Sequence, residues 1–160
     1  MSDRHSATPK SPRKTRKQSA LTKGGYEALA EFRSELRAFL AFSEKAAVKA
    51  GLTPQQHQLM LAIKGAPGRE SLSIGEIAER LLVRHHTIVE LVDRLVDLGL
   101  VARAADPHDG RKIQVVLTRN GNSIIDKLSS IHVEELKNIK PTLRKLLKVF
   151  ETRPPTLPKD

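Results

Sequence analysis

The stretch that decides the fold reads SIGEIAERLLVRHHTIVELVDRLVDLGLVARAADPHDGRKIQVVLT, from Ser73 to Thr118. It opens with Ser73 and Glu76 as an S-x-x-E capping box, in which each side chain satisfies a backbone N–H that a helix start leaves unpaired. Ile74, Ile77, Ala78 and Leu81 follow at i, i+3, i+4 and i+7, the spacing of a single helix face. Ile88, Leu91, Val92, Leu95 and Leu98 repeat that spacing and predict a second helix. It stops at Leu98-Gly99-Leu100, where Gly99 can take the left-handed conformation of a C-terminal cap. Leu82-Val83-Arg84-His85 joins the two helices. Beyond Gly99, Val101-Ala102-Arg103 and Ile113-Gln114-Val115-Val116-Leu117 are β-prone runs, and Asp109-Gly110 between them is a hairpin signal.

Two short helices followed by a hairpin is the order of a winged helix-turn-helix, which sets one helix and one β-ribbon against a DNA duplex. At about 100° per residue, the second helix exposes His86, Glu90, Asp93 and Asp97 opposite Ile88 and Leu95, flanked by Val89 and Arg94. Only the first turn or two of such a helix reaches base edges. Arg84, His85, His86, Thr87, Val89 and Glu90 are therefore the expected readers. Imidazole and hydroxyl groups hydrogen-bond base edges, a valine meets a thymine methyl, and a glutamate accepts from a cytosine amino group. Asp93 and Asp97 lie further along, facing away from phosphate. In the hairpin, Arg103, Asp109, Arg111 and Lys112 are the candidates, with Arg111 placed for the phosphate backbone or a narrow minor groove. The alternative is a solvated helix face beside a surface hairpin whose Arg111 pairs with Asp106 or Asp109.

Charge supports a nucleic-acid partner, but unevenly. The 160 residues hold 28 Lys and Arg against 18 Asp and Glu, a net charge of +10. Residues 1–24 hold seven basic residues and one acidic one, whereas residues 73–118 hold six against seven. The expected DNA-reading module is thus slightly acidic, and the excess positive charge lies largely in the tails. Residues 1–24 are polar, with almost nothing apolar to bury, and are expected to be a disordered arm. The arm is either a solubilising leader or a phosphate-contacting segment through Arg13, Lys14, Arg16 and Lys17. Residues 152–160 read as a flexible Pro-rich tail. There is no cysteine, so disulfides and thiol sensing are excluded. No run is long enough to span a membrane and no signal-peptide pattern occurs, so a cytoplasmic location is expected.

Between the tails, Tyr26, Leu29, Phe32, Leu36, Phe39 and Leu40 mark a long amphipathic helix. Thr53-Pro54 starts the next one, with proline at the first helical position. Its apolar face is Leu59, Met60 and Ile63, and Gly65 to Gly68 forms a turn. After the hairpin, Thr118 is placed to cap a further long helix through Ile124, Ile125, Leu128 and Ile131. Its apolar series continues as Leu136, Ile139, Leu143, Leu146 and Phe150, and Pro141 should bend or divide it. One small module does not cover both terminal stripes, so pairing with a second copy is expected. The alternative is that both stripes pack on the module within one chain.

No constellation points to catalysis. There is no nucleophile elbow, Gly-rich phosphate loop or H-E-x-x-H motif, and no metal or cofactor is expected. His85 and His86 are adjacent on a helix and diverge by about 100°, which is poor chelating geometry. His57 and His132 are the weak candidates for a ligand site, against the alternative of structural histidines with backbone hydrogen bonds.

Taken together, Leu52-Thr53-Pro54-Gln55-Gln56, the helix pair with Leu91-Val92-Asp93-Arg94-Leu95, Gly99-Leu100-Val101, the run from Arg103 through Asp106-Pro107 and Asp109 to Arg111, and Leu117-Thr118-x-x-Gly121 resemble the MarR family of bacterial transcriptional regulators. Arg84 stands where that family often has Ser or Thr, and Glu90 where a basic residue is common. The resemblance covers about residues 25–151. It implies a mainly α fold with a small β-wing (α+β), with a winged helix-turn-helix at about 52–118 and dimerisation helices at about 25–50 and 119–151. It further implies a homodimer that binds double-stranded DNA at a pseudo-palindromic operator, usually as a repressor and not as an enzyme. It also implies a cavity for small aromatic or anionic effectors, near which His57 and His132 would lie. The competing reading is a winged-helix protein-interaction module without specific DNA binding, supported by the near-neutral charge of residues 73–118.

Overall fold

The computed structural model of the chain describes residues 21–106, 109–110 and 112–151. The order is α1 (Lys23–Lys49), α2 (Pro54–Lys64), β1 (Ser71–Ser73), α3 (Ile74–Leu81), α4 (His85–Asp97), β2 (Val101–Ala105), β3 (Ile113–Leu117) and α5 (Arg119–Glu151). The mainly α fold with a small β-wing is the one expected. The boundaries follow local chemistry. Thr22 Oγ1 accepts from Gly25 N–H at 3.2 Å and caps α1, so the helix begins two residues before the expected limit at 25. At α2, Thr53 Oγ1 accepts from Gln56 N–H (3.2 Å) while Gln56 Oε1 accepts from Thr53 N–H (2.8 Å), a second capping box, ahead of Pro54. The box at α3 is the expected one, with Ser73 Oγ accepting from Glu76 N–H and Glu76 accepting in return from Ser73 N–H at 2.8 Å.

The sheet has three strands in the order β1-β3-β2, all antiparallel. Two strands were expected, and β1 is an addition. Its residues Ser71, Leu72 and Ser73 pair with Val116, Val115 and Gln114. A three-residue strand carries no periodicity of its own, and its existence depends on the edge that β3 offers. The hairpin is wider than a two-residue turn at Asp109-Gly110 requires. Its last ladder pair is Ala105 with Ile113, beyond which Asp106 N–H donates to Lys112 O at 2.9 Å and Lys112 N–H to Asp109 O at 2.8 Å.

One core runs through the molecule. Leu59, Met60 and Ile63 of α2, Leu72 of β1, Ile77 of α3, Ile88, Val92 and Leu95 of α4, Val115 of β3 and Ile125 of α5 are completely buried and belong to the same cluster. Each such side chain contributes about 1.5–3 kcal/mol relative to exposure. Leu98, expected on the buried face of α4, is instead half-exposed. It is the C-cap residue; Gly99 at φ +66° then turns the chain, and Leu100 is the side chain buried in the core. Leu82, closing α3, holds a left-handed φ of 56° and is 92% exposed. A leucine in that conformation costs roughly 1–2 kcal/mol.

α5 begins at a crowded junction. Leu100 O accepts from Thr118 N–H at 3.0 Å and from Thr118 Oγ1 at 3.2 Å, and Thr118 Oγ1 caps the helix by accepting from Gly121 N–H at 3.0 Å. Pro141 does not divide α5, which is one helix to Glu151. Lys137, Lys140 and Pro141 are exposed, so water can take the carbonyl that the proline leaves without a donor.

A Cβ added at Gly121 would lie 2.0 Å from Leu100 O, whereas one added at Gly75 meets nothing within 4 Å. Gly121→Ala should therefore lower the unfolding free energy in urea by about 1–3 kcal/mol through overpacking. Gly75→Ala should leave it unchanged or raise it by about 0.4–1 kcal/mol. Equal stability of the two variants would remove the junction from this account.

Candidate nucleic-acid interface

α4 presents the face expected of it. Arg84, His85, His86, Glu90, Asp93 and Arg94 are exposed, Thr87 and Val89 are partly buried at the edge of that face, and Ile88, Leu91, Val92 and Leu95 are turned inward. Arg84 is the N-cap and makes no side-chain capping bond, unlike the caps of α1, α2 and α3. Arg84 O takes Thr87 N–H at 3.1 Å. The first turn of α4 thus offers N–H groups and the positive end of a helix dipole, a geometry suited to anionic oxygen.

The wing is tied to this helix by a contact that sequence reasoning missed. Arg103 Nη2 of β2 lies 2.5 Å from Asp93 Oδ1 of α4. Asp93, expected only to face away from phosphate, pairs with Arg103 across the joint between helix and wing. The available signal was one charged residue in the otherwise apolar run Val101–Ala105, ten positions from an aspartate. At the hairpin end, Asp106 accepts from Gln114 Nε2 at 2.7 Å and from Asp109 N–H at 3.2 Å, and Asp109 lies 3.7 Å from Lys112. Gln114 is buried, so this contact roots the loop in the sheet. Asp109 and Lys112 are brought together at the tip. Pro107 and Arg111 lie outside the described residues, as do residues 1–20 and 152–160.

α3 supports α4 from behind. Ser73 N–H, then Arg69 and the Ser73 hydroxyl, stabilise the charged Glu76 carboxylate and hold it below the ordinary glutamate range. The capping box is therefore charged at neutral pH.

His57 and His132 are not on this face, but the structure brings them together. The rings stack with centroids 4.9 Å apart and an interplanar angle of 24°, joining α2 to α5. His132 Nδ1 lies 2.5 Å from Leu128 O and Nε2 lies 2.7 Å from Ser43 Oγ of α1. Nδ1 thus donates to the carbonyl, and Nε2 pairs with the Ser43 hydroxyl. Phe39 and Phe42 meet His132 edge-on at 5.9 and 5.8 Å. These contacts are those of the structural alternative, a backbone-bonded histidine in a packed joint. Among the described residues, no three His, Asp or Glu side chains gather as a metal site, and no helix is long and apolar enough to cross a membrane.

Comparison with known proteins bears on this geometry. Residues 50–112, from the loop before α2 to the hairpin tip ahead of β3, match the family model described as MarR family. The matched segment is less than half of the chain. The chain is 35% identical to the HTH-type transcriptional repressor MdtR of Bacillus subtilis (strain 168) over 74 residues, which is 46% of each protein. The MarR match therefore spans about half the length of that relative. Among solved structures, the chain resembles AbsC, a MarR family transcriptional regulator from Streptomyces coelicolor, with a TM-score of 0.63 at 19% identity over 86% of this chain and 94% of that one. It also resembles a mutant of S. aureus MepR bound to an oligodeoxyribonucleotide, with a TM-score of 0.57 at 22% identity over 77% and 96% of the two chains. At those identities both likenesses are of fold.

The buried histidine pair predicts a pH dependence. Burial, and then the neighbouring His132, lower the pKa of His57 below the ordinary histidine value. The unfolded chain binds a proton near pH 6.5 while the folded chain resists it, so stability is complete above about pH 6.5 and falls as pH drops toward the lower folded value. Urea denaturation between about pH 7.5 and 5 should show that loss, and His57→Gln should flatten it. Parallel pH profiles for the two proteins would refute the assignment.

Proposed function

We propose that the chain is a sequence-specific, double-stranded DNA-binding transcriptional regulator that works as a homodimer, acting as a repressor at a pseudo-palindromic operator. The observation that carries this reading is the exposed N-terminus of α4, without a side-chain cap and beside a wing that Arg103 joins to Asp93. A phosphate would sit against the first-turn N–H groups, and His85, His86, Thr87, Val89 and Glu90 would face base edges, with Arg84 and Arg94 flanking. Arg111 and Lys112 would follow the backbone beside the wing, with Asp109 orienting Lys112 and Arg103 bracing the wing root. The relatives support this role: MdtR is a repressor by name, and the MepR mutant is bound to DNA. None of the relatives compared is named as an enzyme, and catalysis forms no part of the proposal.

Dimerisation rests on unburied apolar surface. Tyr26, Leu36 and Leu40 on α1 and Val133, Leu136, Leu143 and Leu147 on α5 remain 40–56% exposed in the single chain. The two helices run side by side, with Lys145 on α5 2.6 Å from Glu31 on α1. A second copy covering this surface would place two α4 helices roughly 34 Å apart, one turn of DNA. The proposed division is a basic arm at 1–24 that adds phosphate contacts, a folded unit at 25–151 and a tail beyond. A bacterial cytoplasm is the setting this role requires.

The DNA test is electrophoretic retardation with fragments of the source genome and nonspecific competitor. The expected result is a discrete shift. His86→Ala should change preference at particular base pairs by about 1–3 kcal/mol, whereas Arg111→Ala should weaken all sequences alike and lower the salt slope by about 1. No specific shift at low salt would leave the protein-interaction module as the better reading. For the dimer, sedimentation of Leu136→Glu should show a shift from dimer to monomer with unchanged helical circular dichroism. A wild-type chain that is monomeric at micromolar concentration would overturn this part.

A further inference from the structure

The second half of α5 carries a face that neither the core nor the proposed reading surface uses. From Leu136 to Phe150 the chain holds five Lys and Arg and no Asp or Glu. At about 100° per residue, Lys137, Arg144 and Lys148 point within about 40° of one another, with Lys140 and Lys145 on either side. Buried Ile139 lies on the opposite side of the helix. All five cations are exposed and, with Pro141 and Val149, line a shallow groove of about 540 Å³. Leu147 and Leu143 lie about 100° and 140° round the helix from Lys148, so a second copy packed on them would leave the cations facing outward. The face is also distant from the wing. α4 packs on α3, β2 and α2, whereas α5 lies chiefly along α1. Lys137 stands about 27 Å along α5 from Arg119 at the wing junction.

Charge identifies the occupant. Lys137 sits against Glu134 and Lys145 against Glu31. Lys140 and Arg144, between them in the chain, form no ion pair or hydrogen bond among the described residues. At i and i+4 these two repel each other, which destabilises the helix, and a polyanion laid over both removes that cost. The row of cations extends over about 16 Å of helix, a length along which a duplex presents roughly ten phosphates. A phosphate backbone therefore meets the row in any register, whereas an acidic helix must match it position by position. Pro141 and Val149 are the apolar side chains of the groove, so a protein or lipid partner has little hydrocarbon to bury there.

We infer that the outward face of α5 binds the phosphate backbone of double-stranded DNA through Lys140 and Arg144, without reading bases, as a site separate from α4 and the wing. Binding here does not depend on the proposed role of α4. With α4 also occupied, one molecule holds two duplexes, and that consequence alone rests on the proposed function.

The test uses the absence of cysteine from the chain. Asn138→Cys, beside Lys137, gives the full chain a single attachment point for a maleimide photocrosslinker, and the probe is a short fluorescent duplex of arbitrary sequence. A covalent adduct should form at low salt and decline steeply as salt rises. Lys140→Gln with Arg144→Gln should cut its yield at least about tenfold, and Lys140→Arg with Arg144→Lys should keep it. Unchanged helical circular dichroism would show that each variant folds. Arg111→Ala should leave the adduct in place, and its loss there would make the contact an extension of the wing and overturn the separate site. No adduct at low salt, or an equal yield from the glutamine variant, would also overturn it. So would displacement by polyglutamate or phosphatidylglycerol vesicles at a lower charge concentration than unlabelled duplex, which would assign the face to an acidic protein or a lipid surface. Failure of the α4 reading looks different: the adduct persists while no fragment is specifically retarded.

Discussion

The carbonyl of Leu100 is where the recognition helix, the wing and the last helix are joined. It follows directly on the left-handed Gly99 that ends α4, and it accepts from both the backbone and the hydroxyl of Thr118. Gly121 packs so close to it that a side chain has no room. Three elements therefore share one small set of backbone atoms. A shift of α5 relative to the core must move the start of β2 and the end of α4 with it. That makes the junction a direct mechanical link between the helices proposed to dimerise and those proposed to read DNA.

The charge of the reading module limits how it can work. Its aspartates and glutamates are not idle surface charge. Glu76 caps α3 and holds Arg69, Asp93 holds Arg103 at the wing root, and Asp109 approaches Lys112 at the tip. Two of the module's basic side chains, Arg103 and Lys112, are thus engaged with carboxylates. Under the proposed function, attraction to phosphate would depend on the end of α4 that lacks a side-chain cap, on the doubling of contacts in a dimer and on the basic arm. Such a module is better suited to discriminating among sequences than to holding DNA of any sequence.

α1 and α5 have two different faces with different chemistry. The inner one packs Phe39, Phe42, Ser43 and His132 against His57 of α2, a joint in which burial, and then the neighbouring His132, disfavour a proton on His57. The outer one leaves leucines and a tyrosine in water. Surface of that kind calls for a partner.

Every element whose signal is local could be read from the chain. The boxes at Thr53 and Ser73, the glycine at 99, the apolar spacing of α3 and α4 and the β-prone runs of the wing depend on residues within four positions of one another, and hydrogen bonds of that range form before tertiary structure is needed. The exposed face of α4, and with it the proposed readers, followed from the same periodicity. The third strand, the burial of Leu100 in place of Leu98, the Asp93–Arg103 brace, the Gln114–Asp106 root and the His57–His132 stack were not legible. Their partners lie eight to 75 positions apart or on different elements, and no spacing rule links residues that meet only when helices and strands pack. By itself the sequence determined which segments form helices and hairpin and which side of α4 faces outward. The tertiary structure decided how those elements are braced, because contacts between distant residues exist only once the core has brought them together.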